Sequence, residues 1–152
     1  MSEDKMLRVR NRLYFENNVK TFEPFFEKYT EDGRDVAFTT ARDITAYIRQ
    51  IIESDDACFL AWQRNGTICG YVLATLERRG ASGISEVVIW QTIAGDSDDK
   101  VKRLMVETLE GWAKERGARV IRFNTTHTKA MKRIMGKLGF KPTITIFEKG
   151  VG

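Results

Sequence analysis

The 152-residue chain predicts a single α+β domain, residues 1–152, built on a mixed, mostly antiparallel sheet flanked by helices. Two observations predict this class. Apolar residues recur with the periods of strands and helices in the order β-α-α-β-β-β-α-β-α-β. Three successive strand patterns, expected to pair antiparallel, then lead through a crossover helix into a further strand, which makes the sheet mixed.

The N-terminal segment predicts a strand followed by a helix. Residues 7–15 alternate apolar and polar side chains, which is typical of a strand. Aromatic and aliphatic residues then recur at helical spacing over residues 19–29, and we expect Pro24 to sit in the first turn of this helix or to kink it.

Capping and turn signals define the next elements. Thr40 and Asp43 form a capping box, with Asp43 in the usual Glu position, ahead of a strongly amphipathic helix. Asn65-Gly66 is a strong two-residue hairpin signal, and it joins predicted strands at residues 57–64 and 67–79.

The second half predicts a central strand and the main helix of the domain. Ile84–Ile93 is an apolar, β-branched run that predicts the strand, and residues 101–113 carry the helical pattern, with Gly117 as its stop. Three shorter patterns follow, namely a strand at 120–123, a helix at 131–138 ended by Gly139, and a strand at 143–148.

Charge is divided unevenly along the chain. The net charge of +4 combines −5 over residues 1–99 with +9 over residues 100–152. The basic half indicates either a polyanionic partner, such as phosphates, or a solvated surface. Lysines and an arginine of the last predicted helix form a basic patch, but no stacking-aromatic or DNA-binding motif accompanies it, so we do not expect nucleic acid to bind.

Several classes of protein are excluded early. No apolar run approaches the roughly 18–20 residues of a membrane span, and no secretory h-region follows the N-terminus, so we expect a cytoplasmic protein without membrane association. His127 is the single histidine, expected to cap the last helix, and with only two cysteines we expect no metal site. Cys58 and Cys69 are predicted on one hairpin face but about 13 Å apart, as free thiols in a reducing compartment.

A family resemblance is carried by the order of elements and by two local motifs. The sequence Leu-Glu-Gly-Trp-Ala at 109–113 lies in the long helix after Ile84–Ile93, and Lys-Leu-Gly-Phe ends the later helix at 137–140. This part of the chain resembles the GNAT superfamily of N-acetyltransferases. The resemblance implies acetyl-CoA as co-substrate and transfer of its acetyl group to a primary amine, of a small molecule or a protein. The acceptor and the oligomeric state stay open.

The resemblance also implies where acetyl-CoA would bind. In this family the pantetheine arm pairs with backbone after the central strand, and the pyrophosphate lies on a glycine-rich loop at the N-terminus of the next helix, where free amides and the helix dipole attract anions. Aligned on Trp112, the loop departs from the family pattern, with Ser97 at the Gln/Arg position and lysines at both small-residue positions. The implied binding residues are Thr92, Ile93, Ala94, Ser97, Lys100, Val101, Lys102 and, at the family's Asn position, Thr128.

The altered loop allows two interpretations. Lys100 and Lys102 could replace amide contacts with ammonium contacts, so that CoA phosphate still binds. Alternatively, the chain is a GNAT-fold protein without acetyltransferase activity that serves as a binding or structural component, for example in a phage. Three aspartates at 96, 98 and 99 add negative charge beside the loop, although acidic residues at a helix start need no ligand to explain them.

The resemblance implies one catalytic residue and leaves another role unfilled. Glu86 occupies the position of the general base in histone-type members, and strand parity predicts that it shares a face with Val88, Trp90 and Thr92. Apolar neighbours would favour its protonated form, which suits a base. The family's general-acid tyrosine corresponds to Met135, which belongs to an apolar stripe and is expected in the core.

Overall fold

A computed structural model describes residues 3–31, 40–79, 83–94, 99–123, 136–141 and 149. In chain order its elements are β1 (Asp4–Val9), α1 (Arg12–Glu31), α2 (Ala41–Ile51), β2 (Ala57–Arg64), β3 (Thr67–Arg79), β4 (Ile84–Ile93), α3 (Asp99–Glu115) and β5 (Val120–Phe123). The predicted strand at 143–148 and most of the predicted helix at 131–138 lie outside the described residues.

The five strands of the described residues form one sheet in the order β1-β2-β3-β4-β5. Neighbours are antiparallel from β1 to β4, and β5 runs parallel to β4 because α3 carries the chain back between them. This arrangement confirms the predicted α+β class with a mixed, mostly antiparallel sheet.

The predicted first strand at 7–15 is wrong at both ends. The strand is β1, and Asn11 ends it by capping α1, since its side-chain oxygen accepts hydrogen bonds from the amides of Leu13 (2.7 Å) and Tyr14 (3.3 Å). The apolar residues at 13–15 therefore begin the helix, whose inward face starts at Phe15. Pro24 lies in the interior of α1, not in its first turn.

The hairpin of β2 and β3 forms at the predicted turn. Asn65 and Gly66 have φ values of 53° and 84°, the left-handed conformation that this turn requires, and Arg64 pairs with Thr67. The capping signal of α2 is also confirmed, because the Thr40 side chain accepts a hydrogen bond from the Asp43 amide.

A bulge at Trp62/Gln63 changes the register that simple counting from the turn predicts. Cys58 therefore pairs with Ala74 and not with Leu73. Cys58 and Cys69 are free thiols, as predicted, and burial raises the pKa of the Cys58 thiol to about 11, which keeps it protonated.

Two apolar cores cover the two faces of the sheet. Helices α1 and α2 pack on one face, called here the α1/α2 face, through rings that include Phe22, Phe26 and Tyr71. Helix α3 packs on the other, called the α3 face, through Leu109 and Trp112. Gly117 ends α3 with φ of 72°, as predicted, so the chain turns directly towards β5.

Candidate active site

A β-bulge divides β4 into two segments. Strand β3 pairs Ala74 with Ile89 but Leu73 with Gln91, so Trp90 is the extra residue on β4. Trp90 and Gln91 are consecutive, yet both side chains bond to β3 side chains on the α1/α2 face. The bulge therefore places two large polar-tipped side chains side by side on that face.

The bulge also changes the facing of the residues after it. Val88 and Trp90 share the α1/α2 face with Glu86, as strand parity predicts. Thr92 pairs with Val72, which belongs to the core of the α3 face, so Thr92 faces α3. The prediction that Thr92 shares a face with Glu86 is wrong, because the extra residue Trp90 reverses the alternation of side chains along the rest of β4.

The described parallel pairing of β4 with β5 lies in the segment before the bulge. Among the described residues it spans only Glu86–Ile89 on β4 and Val120–Phe123 on β5. From Trp90 onward, β4 continues beside β3 alone within the described part of the sheet, and the backbone carbonyl of Trp90 accepts a hydrogen bond from the Tyr29 hydroxyl at 3.2 Å.

Gly70 holds β3 close to this segment. A side-chain carbon at Gly70 would overlap the backbone carbonyl oxygen of Ile93 and crowd the Trp62 ring. Only glycine allows this approach of the two strands, so the position of the β4 backbone at Ile93 depends on it.

Glu86 is held as a buried ion pair at the start of β4. Glu86 is 5% exposed, and Nη2 of Arg122 on β5 lies 3.0 Å from Oε2 of Glu86. Glu77 of β3 pairs directly with Glu86, so two carboxylates and one guanidinium lie together on the α1/α2 face. The sequence had singled out Glu86 but neither of its neighbours.

A short chain of hydrogen bonds joins Trp90, at the bulge, to the carboxylate of Glu77. The Trp90 indole donates to the Thr75 hydroxyl at 2.7 Å, and Thr75 donates to Glu77 at 3.0 Å. Burial and, to a lesser degree, the negative charge of Glu77 raise the pKa of Tyr47 on α2. This cluster forms a polar, negatively charged floor between Trp90 and Glu86.

Gln91 is a site residue that sequence reasoning missed. It is 1% exposed, and its side-chain oxygen accepts a 2.8 Å hydrogen bond from the buried Tyr71 hydroxyl. This bond fixes the residue that follows the bulge. The polar Gln91 in the middle of an apolar strand was the available signal, because a buried amide needs a partner.

Solved structures that share this architecture include several acetyltransferases. An aminoglycoside N-acetyltransferase AAC(6')-Iy in complex with CoA superposes with a TM-score of 0.76 at 12% identity, covering 99% of this chain and 96% of that one. An aminoglycoside acetyltransferase from an uncultured soil metagenomic sample gives 0.67 at 22% identity, covering 100% and 99%. Glucosamine-6-phosphate N-acetyltransferase from Arabidopsis thaliana gives 0.68 at 12% identity, covering 100% and 99%.

The chain has the GNAT fold. The resemblance seen in residues 84–140 is thereby confirmed at the level of fold. No protein-family model matches the sequence, and no curated protein matches it. All the implied acetyl-CoA residues except Thr128 belong to the segment that runs from the β4 bulge to the start of α3.

The described part of that segment brings several implied residues together. Ile93 is buried and Ala94 is half-buried against the α3 core, while Thr92 is half-buried. At the start of α3, Lys100 is exposed and Lys102 half-buried, whereas Val101 is fully buried and can offer a ligand only its backbone amide. Ser97, Thr128 and Met135, with His127, lie outside the described residues.

Carboxylates near the start of α3 are matched by cations. Lys137 lies 3.7 Å from Asp99, between Nζ and Oδ2. Asp4 of β1 accepts hydrogen bonds from Arg64 and the Trp62 indole, and these bonds, with a smaller contribution from the charge of Lys100, hold the pKa of Asp4 below its usual value. Of the three aspartates that the sequence places here, Asp99 is therefore partly neutralised, while Asp96 and Asp98 lie outside the described residues.

The Asp4 contacts predict a pH-dependent stability. Because the folded-state pKa of Asp4 is depressed, its contribution is present above the unfolded value of 3.8 and is lost as pH falls through the folded value. We expect Asp4→Asn to lower Tm near neutral pH and to approach the wild type progressively as pH falls below 3.8 and through the folded-state pKa. Thermal melts across this range measure the effect. Asp55→Asn, which removes an exposed ion pair, is the matched control and should change Tm little at any pH.

The described residues contain neither a membrane-spanning helix nor a cluster of metal ligands. No helix there is long and apolar enough to cross a membrane. No group of three or more histidine, cysteine or acidic side chains in the described ranges is placed to hold a metal ion.

Proposed function

We propose that this chain is a cytoplasmic N-acetyltransferase that moves the acetyl group of acetyl-CoA to a primary amine. The observation that carries the proposal is the bulge at Trp90, which separates the segment of β4 paired with β5 from the segment Gln91–Ile93 that leads towards α3. An extended pantetheine arm can pair with the β4 backbone beyond that point as an added strand does. AAC(6')-Iy, which shares the fold, was solved in complex with CoA, and this supports acetyl-CoA as the co-substrate.

The chain's own residues would hold acetyl-CoA in two groups. The backbone of Thr92, Ile93 and Ala94 would pair with the pantetheine arm. The phosphates would lie at the start of α3, contacted by the Val101 amide and by the ammonium groups of Lys100 and Lys102. Lysines there add positive charge to the favourable end of the helix dipole, which compensates for the missing glycines. Ser97 and Thr128 are proposed as two further residues that would bind acetyl-CoA.

Glu86 would act as the general base. As the amine nitrogen bonds to the acetyl carbonyl carbon and the carbon–sulfur bond breaks, Glu86 takes up the proton that the nitrogen loses, relayed through bound waters. Acetyl-CoA supplies the reactive thioester, and the released CoA leaves as a thiol after accepting a proton. Glu86 lies four residues before Trp90, about 13 Å along the strand, so the acceptor would extend across Thr75 and Glu77 between them.

The charge of this surface favours a cationic acceptor. Glu77 and Glu86 contribute two carboxylates and Arg122 one guanidinium, so the three side chains carry a net negative charge. A polyamine or an aminoglycoside, which carries several ammonium groups, matches that charge. The aminoglycoside acetyltransferases among the structures of the same fold support this acceptor class.

Calorimetric titration with CoA tests the first half of the proposal. We expect saturable binding and a rise of Tm that grows with CoA concentration, because a ligand bound only to the folded state stabilises it. Lys100→Gln should weaken CoA binding about tenfold, the effect of losing one charge-assisted contact. Lys114→Gln, an exposed lysine in the last turn of the same helix, is the matched control and should bind CoA as the wild type does.

A negative titration would have a definite meaning. If CoA at millimolar concentration produces neither heat nor a shift of Tm, the acetyltransferase proposal is wrong. The chain would then be a GNAT-fold protein that serves as a binding or structural component, the alternative that the altered loop had raised.

A further inference from the structure

A second polar cavity lies on the α3 face, at the opposite end of α3 from the proposed acetyl-CoA site. Its volume is about 240 Å³. Thirteen residues separate Asp99 from Trp112 along α3, which corresponds to about 20 Å. The lining residues come from β1 and the residue after it, the α2–β2 loop and the end of α3, namely Arg8, Arg10, Asp55, Trp112, Glu115 and Arg116.

Two of its three arginines are already paired. Arg10 lies 3.0 Å from Asp55, between Nη2 and Oδ1. Arg116 lies 2.7 Å from Asp56, also between Nη2 and Oδ1. Both pairs are at the surface, so their charges cancel locally and neither arginine is available without breaking a pair.

Arg8 is held differently. Its Nη2 donates to the backbone carbonyl of Ala57 at 2.9 Å, and its Cζ lies 5.3 Å from the centroid of the Trp112 ring. Within the described residues no carboxylate forms an ion pair with Arg8. Its positive charge is therefore balanced only by a neutral carbonyl and the face of an aromatic ring, which is weaker compensation than an ion pair.

Two shielded donors lie at this wall of the cavity without an acceptor. Arg8 Nε and Trp112 Nε1 are both inaccessible to solvent, and neither has a hydrogen-bond partner in the described structure. The Trp112 residue is only 5% exposed. Buried N–H groups are almost always paired, so two such donors beside one uncompensated guanidinium indicate a missing acceptor with negative charge.

The geometry points to a binding site for the carboxylate group of a small ligand, which we propose as a second ligand site of this protein. One carboxylate oxygen would accept from Arg8 Nε and the other from Trp112 Nε1, once a shift of the half-buried Arg8 side chain opens both N–H groups to the cavity. Glu115 lines the same cavity and opposes a doubly charged anion, so a carboxylate fits better than phosphate. A simple carboxylic acid or the carboxylate of an amino acid would supply this chemistry, and an amino acid would add an ammonium group that suits Glu115.

The three tryptophan indoles provide a direct test by NMR of the nitrogen-15-labelled protein. The Trp62 and Trp90 indoles are bonded to Asp4 and Thr75, so their signals serve as internal controls. Titration with acetate and, separately, with glycine is expected to shift the Trp112 indole signal saturably while the other two stay in place. Tighter binding of acetate would identify the ligand as a simple carboxylic acid, and tighter binding of glycine would identify it as an amino acid. Methylamine and inorganic phosphate are the comparison ligands.

Two variants of Arg8 separate binding from folding. Arg8→Gln should weaken binding about 10- to 100-fold, and Arg8→Lys, which keeps the charge but lacks the Nε donor, should weaken it in the same direction. Arg10→Gln is the matched control and should weaken binding far less than Arg8→Gln does, because Arg10 lines the cavity but is already paired with Asp55. The proposal is overturned if neither acetate nor glycine shifts the Trp112 signal, if phosphate binds as tightly as both, or if Arg10→Gln weakens binding as much as Arg8→Gln.

Discussion

Glu86→Gln is expected to lower kcat by about 10²- to 10⁴-fold, the usual contribution of a positioned general base. Glutamine keeps the size of the side chain and can still bond to Arg122, but it cannot take up the proton that the attacking amine loses. CoA affinity should not change, because the residues proposed to hold CoA lie at the other end of β4 and at the start of α3. A change in kcat without a change in CoA binding is thus the signature of the base role.

The measurement follows release of the CoA thiol with an aminoglycoside or a polyamine as acceptor. Glu77→Gln is the matched control, since Glu77 pairs with Glu86 across β3 and β4 but is exposed. We expect it to raise KM for a cationic acceptor more than it lowers kcat, because its charge attracts the acceptor and takes no proton. Thermal melts of both variants show whether loss of the Arg122 partner affects folding. Unchanged turnover in a folded Glu86→Gln protein would remove Glu86 from the base role.

The elements of this fold that could be predicted from sequence are those with local causes. The turn at Asn65-Gly66 needs two left-handed residues, and both residue types favour that conformation. The start of α2 at Thr40 and the end of α3 at Gly117 depend equally on one or two side chains. Each of these causes acts within a few residues, so a single sequence is sufficient to find it.

The features that shape the candidate site have non-local causes. The bulge at Cys69, opposite Trp62 and Gln63, and the bulge at Trp90 depend on how two strands pair, and neither extra residue is a glycine or proline that would mark it. Arg122 reaches Glu86 only because β5 lies parallel to β4 in one register, which α3 and its connections determine. The sequence therefore indicated Glu86 itself but not its partner, and the alternation it implied failed at Thr92.

The start of α1 shows how a local signal can also mislead. Residues 7–15 alternate well enough for a strand, yet Asn11 within them is a good helix cap. The tertiary contacts decide between the two, since a helix from Arg12 places Phe15 in line with Phe22 and Phe26 against the sheet. A polar residue able to cap, in the middle of an alternating run, was the signal against a continuous strand.

Phe22→Ala is expected to lower the free energy of unfolding by about 3–5 kcal/mol, the range for removing a fully buried phenylalanine ring. Phe22 has no exposed surface, and its ring centroid lies 5.1 Å from Phe59, 5.8 Å from Phe15 and 6.1 Å from Phe26. Its loss leaves a cavity between α1 and β2 that these rings cannot fill without leaving their own contacts. Small domains have about 5–15 kcal/mol of stability in total, so the variant would keep only a small margin.

Urea unfolding followed by circular dichroism measures this loss. Phe25→Ala is the matched control, because Phe25 has the same chemistry on the same helix but is only half-buried. Its effect should be clearly smaller, and equal losses in the two variants would contradict the assignment of Phe22 to the centre of this core. The core also supports the site, since Phe26 packs edge-on against Tyr71 at 5.0 Å and Tyr71 holds Gln91 beside the bulge. A folded Phe22→Ala protein should therefore lose activity at a lower urea concentration than the wild type does.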